Sequence, residues 1–166
     1  VAQRLSLAKG VALGLLADRR ARRDEIAMLV FRGESVQLVV PFSRDTAALE
    51  SALAAVPTGG RTPLAAALRE AAMLLETRSP SLYVLFTDGR ANVSARGGDP
   101  WDEALAACGE LRQLSAGGLV IDCERGPVTL GRARLLAQAL KADLVGLDEL
   151  DTESLTLRIE QRLETL

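Results

Sequence analysis

The stretch "YVLFTDGRANVS", residues 83–94, decides the fold. With Ser81 and Leu82 in front it forms an apolar run that does not alternate, which predicts a strand over 81–88 buried on both faces. The run halts at Asp88 and Gly89 and passes into a polar loop over 89–100. A buried strand that ends on an acid has two readings. Asp88 caps a turn, or it holds something at the edge of a sheet.

Downstream, "WDEALAACGELRQLSA" predicts a helix capped by Asp99 and ended by Gly117 and Gly118. "LVIDC" predicts a second buried strand, 130–141 a helix and "DLVGL" a short strand. A last helix opens on Asp151, Thr152 and Glu153, all favourable in a first turn. Upstream, Leu5, Ala8, Ala12, Leu15 and Leu16 recur at helical spacing over 2–18. Ile26 to Phe31 is a strand, "RGES" a turn, and "VQLVVPF" a strand stopped by Pro41, together a hairpin. "SRDTAALESALAAV" is a helix with Ser43 and Asp45 as cap candidates. "TPLAAALREAAMLLETR" is another, with Thr62 as cap and Pro63 in the first turn, where a missing N–H costs nothing. Strand and helix alternate through the second half. The expected fold is therefore α/β, Rossmann-like and doubly wound, with a mostly parallel sheet and one antiparallel edge hairpin. Such sheets bind ligands beyond the carboxyl ends of their strands, where Asp88 lies.

At 166 residues the chain is the length of one domain. It is 48% hydrophobic but only 3% aromatic, so its core must be aliphatic. A net charge of −2 gives no argument for nucleic acid. No apolar run reaches the ~20 residues of a membrane span. Histidine is absent, which removes the commonest general base and excludes a Ser–His–Asp triad. Neither a G-x-x-x-x-G-K-[ST] loop nor a G-x-G-x-x-G turn occurs, which argues against P-loop and dinucleotide sites. Cys108 and Cys123 sit in apolar stretches and read as small core residues. Arg19, Arg20, Arg22 and Arg23 close the first helix, as a solvated face or a docking patch. Trp101 reads as a local packing anchor.

Two loops carry chemistry. "TGGRTPL" puts the Thr62 hydroxyl at a helix start, and "FTDGRANV" puts Asp88 at a strand end. Hydroxyl plus carboxylate is the ligand chemistry of a hard divalent ion such as Mg²⁺. On the residues alone, Thr62 as a plain cap and Asp88 as a turn residue remain open.

The order of elements, with "GGRTPL" and "LFTDG", resembles a von Willebrand factor A (integrin I-type) domain. More narrowly, "VAQRLSLAKG", "FRGE", "PTGGRTPLAAAL", "LFTDGRANV" and "LVIDCE" resemble the C-terminal domain of magnesium chelatase D subunits, across nearly the whole chain. The family binds a divalent ion at a metal-ion-dependent adhesion site, through a D-x-S-x-S loop, a Thr from a second loop and an Asp from a third. The resemblance implies that Thr62 and Asp88 are the second- and third-loop metal ligands, and that Arg90 and Arg61 are partner-contact candidates.

"VAQRLSLAKG" matches the helix that follows D-x-S-x-S. The central strand and metal loop would thus precede Val1, and 1–166 is expected to be a single domain truncated at its N-terminus. "DTESL" at 151 is too near the far end to substitute. The implied function is non-catalytic and cytoplasmic. Such a domain would use Mg²⁺ to engage an AAA+ ATPase subunit and a porphyrin-binding catalytic subunit, and so support ATP-driven Mg insertion into protoporphyrin IX for (bacterio)chlorophyll. The whole assembly would be a ligase forming nitrogen–metal bonds. The alternatives are an adaptor for another AAA+ machine or a cobaltochelatase-like complex, and a small phosphate-ester enzyme built on Asp88.

Overall fold

The computed structural model describes residues 9–10, 12–14, 24–57, 60–114, 116–124, 130–146, 157–158, 161–162 and 164. Strand β1 (Ile26–Arg32) pairs antiparallel with β2 (Ser35–Ser43) through a turn at Gly33, whose φ of 66° suits a residue without Cβ. Pro41 does not stop β2, which continues to Ser43. Among the described residues β2 pairs only with β1, and at an edge a residue without N–H sacrifices no ladder bond.

Helix α1 (Thr46–Ala55) follows, and of the two cap candidates Asp45 does the work. Its carboxylate accepts from the amides of Ala47 at 3.0 Å and Ala48 at 3.2 Å. At the other end Lys9, on the described part of the first helix, donates to the carbonyls of Ala54 at 2.9 Å and Val56 at 2.7 Å. The rest of the expected first helix and the four arginines lie outside the described residues, as do Asp151, Thr152 and Glu153. Residues 157–158, 161–162 and 164 are helical, as expected.

Helix α2 (Leu64–Leu75) starts one residue later than expected. Pro63 occupies the cap position, no side chain caps it, and Thr62 stands just outside. Then come β3 (Ser81–Thr87), α3 (Pro100–Arg112), β4 (Ala116–Asp122), α4 (Arg132–Leu140) and β5 (Asp143–Gly146). Strands β3, β4 and β5 form a parallel sheet in that order. Leu64 and Leu68 of α2, Ala104, Cys108 and Leu111 of α3, and Leu136 and Leu140 of α4 pack on the face carrying Leu85, Val120 and Leu144. Leu119, Ile121 and Val145 alternate with these and are buried on the opposite face. Both cysteines are free and buried, as their apolar surroundings suggested.

Two further expectations are corrected. Gly117 and Gly118 do not end α3, which stops at Arg112; they lie inside β4. Strand β3 is not buried on both faces: Ser81 to Phe86 are all half-buried. The cause is the sheet. Among the described residues β3 pairs only with β4, and β1 only with β2, so each keeps an open edge. β4, flanked on both sides, is buried from Gly117 to Ile121.

Candidate metal and docking site

The carboxyl ends of the parallel strands meet the start of α2. Thr87 closes β3, and its carbonyl accepts from the Cys123 amide at 2.8 Å, which extends the ladder past β4. The buried Thr87 hydroxyl accepts from the Gly89 amide at 3.0 Å and turns the chain. Gly89 has φ +72°, and a Cβ there would lie 2.7 Å from the Arg132 Cβ and 2.9 Å from the Ala133 amide nitrogen. Only glycine lets this loop close on the start of α4.

Asp88 therefore sits on a well-supported turn, half-exposed. One oxygen accepts from the Arg90 amide at 3.2 Å, and the other is 3.5 Å from the Arg90 Nε. Asp88 does act as a turn residue, then, and Arg90 lies over its own neighbour. This ion pair is solvent-facing and worth little, so a cation or a partner can displace Arg90 cheaply. Arg61 is likewise occupied, by Glu34 in the hairpin turn at 2.7 Å, while its carbonyl accepts from the Gly33 amide at 3.0 Å.

Thr62 is tied to the Asp88 loop by Asn92, a residue to which local sequence pattern assigns no role. The Asn92 side-chain oxygen accepts from the Thr62 amide at 2.6 Å, and the Asn92 amide donates to the Thr62 carbonyl at 3.3 Å. Thirty residues separate the partners, so no local spacing signals the pair. The Thr62 hydroxyl has no hydrogen-bond partner among the described residues, and it does not cap α2.

A second unforeseen residue is Glu103. Its carboxylate gathers the Ser94 hydroxyl at 2.7 Å and the amides of Ala95, Arg96 and Gly98, anchoring the loop over 94–98 to α3. The Ser94 hydroxyl above all, then those amides, hold its pKa down at about 2. Trp101, half-buried at the start of α3, carries the Arg132 guanidinium 4.8 Å above its ring.

The donors suit a hard cation in kind: one unengaged hydroxyl and one accessible carboxylate. They fall short in number, because Mg²⁺ takes six oxygens and keeps waters for only some of them. Among the described residues no group of three or more His, Cys, Asp or Glu could hold a metal ion. No helix among them is long and apolar enough to cross a membrane.

Comparison with known proteins identifies relatives of the chain. The family profile described as von Willebrand factor type A domain matches residues 1–90. The chain is 37% identical over 161 residues to the magnesium-chelatase 60 kDa subunit of Cereibacter sphaeroides, covering 92% of this chain and 28% of that protein. It is 35% identical over 159 residues to an uncharacterized protein of Mycobacterium tuberculosis, covering 92% and 25%. The chain thus spans about a quarter of the length of these curated relatives. Among solved structures, a von Willebrand factor type A protein from Catenulispora acidiphila superposes with a TM-score of 0.62 at 19% identity, over 96% of this chain and 37% of its own. That likeness concerns the fold.

Proposed function

This chain belongs to the von Willebrand factor type A family, and from that premise we propose that it is the metal-dependent, non-catalytic docking domain of a magnesium chelatase. It is homologous to magnesium-chelatase subunits. The observation that carries the reading further is the joining of the Thr62 and Asp88 loops by Asn92 at the carboxyl edge of the sheet. Thr62 and Asp88 would hold Mg²⁺, with further donors supplied by a segment outside the described residues. When bound, the ion offers a hard Lewis-acidic position that takes a carboxylate from a partner. The chain's own part is to keep the two donors on one rim, with Arg90 beside Asp88 and Arg61 beside Thr62.

The partners in this reading are an AAA+ ATPase subunit and a porphyrin-binding catalytic subunit, and the process is Mg insertion into protoporphyrin IX in (bacterio)chlorophyll synthesis. Two free thiols suit a cytoplasmic setting. Among the described residues β1 and β3 each keep an open edge, which supports a domain completed by a central strand that carries the remaining metal donors. The alternative is an adaptor for another AAA+ machine or a cobaltochelatase-like complex, since the chain is nearly as similar to the uncharacterized mycobacterial protein, which assigns no chelatase role.

Asp88→Ala in the full-length protein tests the proposal. It is expected to cut Mg²⁺-dependent retention of the ATPase subunit in a pull-down by roughly tenfold or more, without changing the melting temperature. Unchanged retention would overturn the metal-docking role. A parent protein that retains no chelatase subunit but captures a different AAA+ ATPase would favour the adaptor.

A further inference from the structure

We infer that Asn92 is a positioning residue that sets the Thr62 hydroxyl against the Asp88 loop, an inference that rests on the metal-docking reading above. Asn92 holds Thr62 on both sides of its backbone, through its side-chain oxygen at 2.6 Å and its own amide at 3.3 Å. It stands four residues after Asp88 in the same loop, so one residue fixes the separation of the two donor-bearing segments. Both Thr62 backbone groups are spoken for, and Pro63, which follows, restricts Thr62 to extended geometry. Three restraints thus converge on the backbone, and the hydroxyl is the polar group left over.

The chemistry of the amide fits the task. Its oxygen accepts from a backbone N–H without adding a second negative charge beside Asp88, and its bond to Thr62 spends no donor that a cation would need. A residue in this position acts on metal affinity through geometry, as outer-shell partners do at other metal sites. A merely structural clamp would alter the melting temperature and leave affinity alone.

The test is Mg²⁺ and Mn²⁺ titration by calorimetry on the full-length protein and its Asn92→Ala, Asn92→Asp and Thr62→Ala variants, with melting temperatures measured without metal. Asn92→Ala is expected to weaken affinity about tenfold. Asn92→Asp, which keeps the acceptor oxygen and adds a charge that attracts the cation, is expected to restore it to at least the parent value. Should the alanine variant fail to fold, Asn92→Gln, which moves the oxygen one carbon further out, is expected to show the same loss. Parent-like affinity in Asn92→Ala beside a loss in Thr62→Ala would overturn the positioning role and leave the metal reading standing. An equal loss in Asn92→Ala and Asn92→Asp would also overturn it. Parent-like affinity in Thr62→Ala would overturn the metal reading itself.

Discussion

Glu103 shows how much one half-buried carboxylate can organise. Four polar hydrogens from a glycine-rich loop converge on it. Because those hydrogens favour the charged form, its pKa falls from the ordinary 4.5 to about 2. The sign follows from the direction. The contribution to stability is fully present above pH 4.5 and is lost as pH falls through about 2. The loop beside the candidate site is therefore expected to keep its shape at mildly acidic pH, where ordinary carboxylates have begun to protonate. A ¹³C carboxyl titration by NMR checks this. The Glu103 midpoint should fall near 2, and Ser94→Ala, which removes the largest cause, should raise it. A midpoint at the ordinary value in the parent would mean that the loop does not close on Glu103.

At the scale of elements, most of the fold was legible and the misreadings share a cause. The hairpin, the parallel order, and the Asp45 and Asp99 caps follow from local pattern, because capping and periodicity act within a few residues. Gly117 and Gly118 misled because glycine after a helix usually stops it. Their actual role is long-range. Tyr83 is the register partner of Gly118, and its ring lies where a Cβ on Gly118 would project. The same residue is half-buried, and burial raises its hydroxyl pKa. Gly118→Ala is thus expected to destabilise the protein by about 1–3 kcal/mol through overpacking. A Tyr83→Leu background should recover much of that loss, and chemical denaturation of the two single variants and the double variant measures it. Additive effects would show that the ring is not what the methyl meets. The site divides in the same way. Asp88 announced itself by ending an apolar run, whereas Asn92 works through a partner thirty residues away and was silent.

For the whole molecule, the decisive feature is a sheet in two parts. Helix α2 packs against Phe31 and Phe42 of the hairpin as well as against α3, so one helix spans both parts. Arg78 ties them again: it pairs with Glu25 at 2.8 Å and lies 4.2 Å over the Phe42 ring. Among the described residues the hairpin is thus held beside the parallel sheet by helix and side chains rather than by strand pairing. Strands β1 and β3 are mostly apolar over Ile26 to Phe31 and Leu82 to Phe86, and these residues are half-buried throughout. Unpaired backbone on an apolar strand is costly to leave to water and is an invitation to pair with another chain. Hydrogen exchange on the 166-residue chain should therefore divide the strands. Amides of β4 should be the slowest, while those β1 and β3 amides that point away from β2 and β4 should exchange at least about tenfold faster. A peptide or upstream segment that adds a strand between them should slow both sets together, since one strand must satisfy both edges. Slowing on β1 alone would mean that the two sheets are not neighbours across a single slot. Slow exchange on both edges without any addition would mean that the chain closes the slot with its own residues, and the completion by a central strand would have to be abandoned.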